Sequence, residues 1–143
     1  NAGQPVKPMH KVVSGGELSR IMLAVKILVG EEQSCTMVFD EIDAGISGQT
    51  AHVVGEKLAL LSRKSQVISI THLPQIAVFG DQNLMISKND VSGISKTFIQ
   101  AMTPAEKTEE IVRLVGGKNV TDATILHANH MIEQAKVIKK EYQ

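Results

Sequence analysis

Two short apolar runs with a helical pattern between them constrain the fold of this chain most. The runs cover residues 35–39 and 67–70, and each is followed at once by polar side chains. Between them, apolar residues in the range 51–61 recur at the spacing of one helical face. A strand, a helix and a strand at this spacing predict a right-handed parallel crossover. We therefore expect an α/β fold with a mostly parallel sheet flanked by helices and with the first strand, at 35–39, buried on both faces.

The segments around this unit carry clear start and stop signals. We expect a connector over 1–13, a helix over 14–30, a helical turn over 75–79, a hairpin at a sheet edge from 83–87 and 94–101, and C-terminal helices over 103–117 and 122–142. The first helix should be amphipathic, with one apolar face that comprises Leu18, Ile21, Met22, Val25, Leu28 and Val29. We also expect this chain to expose apolar surface where a missing N-terminal segment would pack.

Composition limits the classes of protein that this chain can belong to. Its 143 residues suit a single domain over 1–143, and no apolar run approaches the roughly 20 residues of a membrane span. Fifteen basic and fifteen acidic side chains cancel, so any DNA contact must be local or come from elsewhere. Cys35 alone cannot form a disulfide framework, which fits a reducing cytosol. The chain begins with Asn1, as a piece of a longer polypeptide would.

Three acidic residues follow the first predicted strand. Asp40, Glu41 and Asp43 could lie in a solvated loop, but adjacent carboxylates at a buried strand end are costly without a counter-charge. A divalent cation is the natural compensation, since Mg²⁺ takes one or two carboxylates, waters and phosphate oxygens. We expect Asp40 to support the metal, Glu41 to polarise an attacking water, and Asp43 to organise the turn or a partner surface.

The start of the first helix, Ser14-Gly15-Gly16-Glu17, fits two interpretations equally well by spacing. One is a capping box, in which Ser14 and Glu17 satisfy each other's backbone amides. The other is an anion site, because Gly15 and Gly16 would let a phosphate approach the amides at the positive end of the helix. A serine cap does not by itself require both glycines.

His72 ends the second apolar run. An isolated histidine is more often structural than catalytic, but the carboxyl ends of parallel strands share one sheet edge, where ligands bind. We therefore expect His72 to approach Asp40 and Glu41. The other histidines lack such a placement: His10, His52, His127 and His130.

Taken in order, these elements resemble the C-terminal half of an ABC-type ATPase head, a P-loop NTPase. The range 14–17 is similar to the signature motif, 36–41 to the Walker B strand, 43–48 to the D-loop, and His72 to the switch histidine. Three segments resemble the SMC-like RecN family of bacterial double-strand break repair and recombination: "KVVSGGELSRIMLA", "VFDEIDAGISG" and "THLPQIA". This similarity extends over nearly the whole chain.

The resemblance implies a head dimer that sandwiches two ATP molecules. Ser14, Gly15, Gly16 and Glu17 would then contact the ATP of the opposite head, together with the D-loop residues Asp43, Gly45 and Ser47. Asp40 would support Mg²⁺, Glu41 would act as base and His72 would sense the γ-phosphate, with Arg20 near the dimer interface. The implied location is the bacterial cytoplasm, at the nucleoid, with DNA bound by the full-length protein and no membrane partner.

No Walker A loop of the form G-x-x-x-x-G-K-S/T occurs in the sequence. At the nearest match, Asn119 follows Gly117-Lys118 and Val112 replaces the first glycine. We therefore expect the partner to be an N-terminal Walker A half, and this chain alone to lack ATPase activity and tight binding of ATP or Mg²⁺.

Two alternatives stay open at this point. One is a metal-dependent nuclease that holds two cations with Asp40, Glu41 and Asp43. The other is a noncatalytic module whose helices bind a partner.

Overall fold

The computed structural model describes residues 8, 12–29, 35–91 and 94–142. The chain divides into two compact units, residues 1–71 and 72–143. A single domain over 1–143 remains a prediction. Most of the expected connector, with His10, lies outside the described residues. No helix formed by the described residues is long and apolar enough to cross a membrane.

The first unit contains the predicted strand–helix–strand crossover. Its elements are α1 (Gly15–Val29), β1 (Thr36–Phe39), α2 (Gly48–Leu61) and β2 (Gln66–Ser69). The two strands pair in parallel, with a register that runs from Thr36 opposite Gln66 to Phe39 opposite Ser69. The α/β prediction is therefore confirmed, and both strands end at the same edge of their sheet.

Helix α1 forms as predicted, and its apolar face is largely exposed, as expected of apolar surface that a missing segment would cover. Leu18, Met22 and Val25 are 42–43% exposed, whereas Leu23 is 3% exposed. The buried side of α1 carries Leu23 and Gly16 and packs on α2. Periodicity located an apolar stripe correctly, but the described part of the chain supplies nothing to cover it.

The prediction that the first strand, β1, is buried on both faces is wrong. Val38 in β1 is 62% exposed and Ile68 in β2 is 45% exposed, while Phe39, which faces the other way, is 5% exposed. Residues Met37, Phe39, Val67 and Ser69 form the less exposed face of this two-stranded sheet, and the face that carries Val38 and Ile68 is an open surface.

The second unit contains the hairpin and the C-terminal helices. Its elements are α3 (Pro74–Ala77), β3 (Leu84–Val91), β4 (Ile94–Ala101), α4 (Pro104–Gly116) and α5 (Asp122–Glu141). The hairpin is confirmed, but β3 and β4 form an antiparallel sheet of their own and add no strand to the β1–β2 sheet. The predicted capping box at Thr103 and Glu106 is formed, and a second box begins α5 at Thr121. Both helices thus start where the sequence predicts.

Candidate functional site

The segment 40–47, which we call the acidic loop, begins where β1 ends, beside the end of β2. Beyond the paired strands, the amide of Ile70 donates to the carbonyl of Phe39 at 3.1 Å. The hydroxyl of Thr71 then donates to Asp43 Oδ2 at 2.7 Å, and Asp43 is only 5% exposed. A side-chain contact therefore joins the acidic loop to the end of the neighbouring strand.

Glu41 has an unusual backbone conformation. Its φ of 54° is in the left-handed region, which is uncommon for a residue with a side chain and is found preferentially at functional sites. Two hydrogen bonds hold the turn: the Glu41 amide donates to Asp40 Oδ1 at 2.9 Å, and the Ala44 amide donates to the Glu41 carbonyl at 2.9 Å. The side chains of Asp40 and Glu41 are exposed and can reach a ligand.

The start of α1 forms the capping box that the spacing allowed. The backbone amide and hydroxyl of Ser14 donate to Glu17 Oε2 at 2.9 and 3.0 Å, and the Glu17 amide donates back to Ser14 Oγ at 3.4 Å. The amide of Ser14, followed by its hydroxyl, lowers the pKa of Glu17 below its ordinary 4.5. Glu17 is thus committed to the cap, and phosphate binding at this helix start stays a prediction.

The two glycines at this start lie against Glu41. A Cβ placed on Gly15 would be 2.6 Å from Glu41 Oε2, and one on Gly16 would be 2.7 Å from the Glu41 carbonyl oxygen and 2.9 Å from the Ala44 Cβ. Only glycine therefore fits at position 16 without movement of the loop backbone. This close approach gives a reason for both glycines that the serine cap alone lacks.

Two side chains in the next turn of α1 also bind the acidic loop. Ser19 Oγ donates to the Asp40 carbonyl at 2.8 Å, and Arg20 Nη1 donates to the carbonyls of Ile42 and Ala44 at 3.0 and 2.8 Å. Three alternate carbonyls of the loop thus accept bonds from α1. Sequence reasoning found Arg20 only through the family resemblance and missed Ser19, because nothing in the spacing shows which carbonyls a helix will face.

The three acidic side chains of the loop do not converge. The Asp43 carboxylate is buried and bonded to Thr71, whereas Asp40 and Glu41 are exposed. Over 8, 12–29, 35–91 and 94–142, no group of three or more His, Cys, Asp or Glu side chains could hold a metal ion. The three-carboxylate nuclease centre is therefore not supported. Asp40 remains suited to the lesser role of one carboxylate beside Mg²⁺, phosphate oxygens and water.

The other predicted D-loop residues lie at the exposed turn before α2. Gly45 has φ 74° and Gly48 has φ 53°, both conformations that favour glycine, and Ser47 is the N-cap of α2. Gly45 and Ser47 are exposed. Contact of Asp43, Gly45 and Ser47 with a nucleotide stays a prediction.

His72 is exposed and is the first residue of the second unit, directly before Leu73, the N-cap of α3. Its approach to Asp40 and Glu41 stays a prediction. Of the remaining histidines, His127 and His130 are exposed on α5, while His52 lies 3.2 Å from Glu56 on α2.

Comparison with known proteins identifies the family. No family model matches the chain, but 140 residues are 46% identical to the DNA repair protein RecN of Halalkalibacterium halodurans and 44% identical to that of Bacillus subtilis. RecN of Haemophilus influenzae is 41% identical over 134 residues. These matches cover 93–97% of this chain. They cover only 24–25% of the relatives, so the chain spans about a quarter of their length.

One solved structure, from work on ATP-driven dimerization and DNA-stimulated activation of SMC ATPases, is 24% identical with a TM-score of 0.48. It covers 76% of this chain and 65% of its own, and we draw no functional conclusion from this likeness. The chain is about a quarter as long as the RecN proteins that it matches. The sequence identity to these relatives shows that this chain belongs to the RecN family.

Proposed function

We propose that this chain is the C-terminal ATPase lobe of a RecN-like protein, which couples ATP hydrolysis to DNA repair and recombination. One observation supports this most: the acidic loop after β1 is bonded directly to the glycine-opened helix α1. Ser19 and Arg20 supply these bonds, and Gly16 allows the close approach. The relatives are named DNA repair proteins, which fits this assignment and a bacterial cytoplasmic, nucleoid-associated location.

In the proposed reaction, Glu41 accepts a proton from the attacking water. A positioned general base typically contributes about 10²- to 10⁴-fold to the rate. The exposed Asp40 carboxylate would hold Mg²⁺ through water, and that ion, when bound, would offset negative charge on the phosphates. His72 would contact the γ-phosphate. The Ser14 to Gly16 backbone and the D-loop would bind the ATP of the opposite head, where the positive end of α1 favours an anion.

The uncovered apolar surface of the first unit would bind the N-terminal Walker A half of the same protein. This surface includes a groove of about 320 Å³ between α1 and β1, which is lined by Leu18, Ser19, Met22, Lys26, Met37, Val38 and Phe39. Contiguous apolar surface of this kind marks a protein interface. The relatives are about four times as long as this chain, so their remaining length can supply such a partner.

A second head would complete the site in an ATP-sandwiched homodimer. Binding of ATP would close the dimer, hydrolysis would release it, and the full-length protein would contact DNA. The isolated chain would then show negligible ATPase activity, because it has no P-loop lysine for the β- and γ-phosphates.

The test is Glu41→Gln in the full-length protein, with Glu109→Gln on the exposed face of α4 as a control. We expect Glu41→Gln to bind ATP, to lose turnover and to prolong the ATP-dependent dimer, and the control to behave as wild type. Ordinary turnover by Glu41→Gln would remove this residue from the role of base.

The two alternatives predict different results. A nuclease would cleave labelled DNA in the presence of Mg²⁺ or Mn²⁺, whereas we expect no cleavage by the chain. A noncatalytic module could bind an upstream segment that contains a P-loop, but the complex would not hydrolyse ATP. We expect co-expression of the two segments to give a soluble complex with ATPase activity.

A further inference from the structure

We propose that Lys107 and Lys139 are positioning residues for His72, which they hold in place by binding the carboxyl end of α3. This inference rests on the proposed function, in which His72 contacts the γ-phosphate. Both lysines belong to the same compact unit as His72. Neither was a candidate for a role in the site by sequence.

Three side chains, from the loop before β3, from α4 and from α5, bind four consecutive carbonyls that begin at the last residue of α3 and continue into the turn after it. The Ala77 carbonyl accepts from Asn83 Nδ2 at 2.9 Å, those of Val78 and Gly80 from Lys107 Nζ at 3.1 and 2.6 Å, and that of Phe79 from Lys139 Nζ at 3.1 Å. Lys139 also bonds to Asp81. We call this set of contacts the α3 clamp.

The α3 clamp stabilises a helix that is too short to be stable alone. With only four residues, α3 is far below the length at which a helix is stable alone, so its position depends on contacts with its surroundings. The last carbonyls of a helix lack partners within the helix and carry partial negative charge. Lys107 satisfies the carbonyl of the C-cap Val78 and complements its charge, and the two ammonium groups also hold the Phe79 and Gly80 carbonyls of the turn that follows.

The α3 clamp reaches His72 through the backbone. The Leu73 carbonyl accepts from the amides of Ile76 and Ala77 at 3.1 and 3.0 Å, so the residue directly after His72 is the N-cap of α3. Ile76 is buried at 3% exposure, which limits how α3 can shift while the clamp is in place. Loss of the clamp would let α3 move and would carry the His72 backbone with it.

The environment of Lys107 disfavours the charged form of its side chain. Burial, followed by repulsion from Lys139, lowers the pKa of Lys107 to about 8, with Lys136 acting in the same direction and Asp81 opposing it. Because the unfolded chain binds this proton more strongly, the contribution of Lys107 to stability rises with pH from about 8 to its ordinary 10.5. Over the same range, the clamp loses its charge-assisted hydrogen bonds. Stability and positioning should therefore change in opposite directions.

The experiment measures ATPase kinetics of the full-length protein with Lys107→Met, Lys139→Met, Lys107→Arg and the control Lys140→Met. Lys140 is exposed beside Lys139 on α5. We expect each of the first two variants to lower kcat roughly tenfold or more with little change in KM, because small misplacement of a catalytic group is costly. Lys107→Arg should restore kcat and keep it above pH 8, where the wild-type rate falls. The Lys140→Met variant should match wild type.

A double-mutant cycle separates positioning from a general loss of structure. If Lys107 acts through His72, Lys107→Met should lower kcat much less in a His72→Ala background than in wild type. The inference would be overturned if the decreases in kcat caused by Lys107→Met and His72→Ala were additive, or if both methionine variants had wild-type kcat. In either case Glu41→Gln would still abolish turnover. Should Lys107→Met fail to fold, Lys139→Met and the pH profile of Lys107→Arg decide the question. Failure of the proposed function is recognised separately, by ordinary turnover of Glu41→Gln.

Discussion

The hydroxyl of Thr71 donates a 2.7 Å hydrogen bond to the buried carboxylate of Asp43, across the adjacent ends of β1 and β2. This bond gives Asp43 a structural task inside the first unit. It also ties the acidic loop to Thr71, the residue directly before His72. A carboxylate at 5% exposure depends on such donors, because burying a charge without them is costly.

Removal of the Thr71 hydroxyl should therefore destabilise the chain. We expect Thr71→Val, which keeps the side-chain shape, to lower the free energy of unfolding by about 1–3 kcal/mol, since the buried carboxylate loses a donor. Thr71→Ser retains the hydroxyl and should cost much less. Urea unfolding followed by circular dichroism measures both. Equal stability of the valine and serine variants would show that the bond contributes nothing.

Alanine at Gly15 and at Gly16 should have different effects. At Gly16 the new Cβ would meet the Glu41 backbone and Ala44, so Gly16→Ala should destabilise the chain by about 1–3 kcal/mol. At Gly15 it would meet only the end of the Glu41 side chain, which can rotate away. We expect Gly15→Ala to leave the melting temperature nearly unchanged but to reduce turnover in the full-length protein. Similar melting temperatures for both variants would contradict the close approach at Gly16.

Protonation of Glu17 should weaken the start of α1. Its pKa is lowered in the folded chain, so its stabilising effect is present above its ordinary 4.5 and is lost as pH falls through the lower folded value. NMR titration should show this midpoint below 4.5, and Ser14→Ala should move it upward. Glu106 is an internal control, because the same kind of cap lowers its pKa through Thr103. In Ser14→Ala the titration of Glu106 should not change; a Glu17 midpoint that also stayed unchanged would rule out the Ser14 hydroxyl as a cause and leave the Ser14 amide, which the variant retains.

A charge on the open face of the β1–β2 sheet should block assembly without unfolding this chain. Val38 is 62% exposed, so Val38→Glu should change the melting temperature of the chain little. In the proposed complex it would bury an unpaired carboxylate, which is costly, and co-purification with the N-terminal half should be lost. Val137→Glu, at a 58% exposed position on α5, provides a control of similar exposure. Normal assembly of Val38→Glu would show that the N-terminal half binds elsewhere.

Local sequence signals determined the elements of this protein and several of their exact ends. The Ser14 and Thr103 capping boxes begin helices where predicted, because a cap satisfies amides only a few residues away. The apolar runs predicted β1 and β2, and their parallel pairing followed from the helix between them. Asp40 and Glu41 were placed at a strand end for the same reason.

Tertiary structure alone decided which faces are buried and which side chains meet. The stripe of α1 that contains Leu18 is exposed because burial depends on a covering surface, and periodicity gives only the position of the stripe. Likewise, the contacts of Thr71 with Asp43 and of Lys107 with the end of α3 join residues 28 or more positions apart. No local pattern encodes such pairs, because they arise only when packing brings distant parts of the chain together.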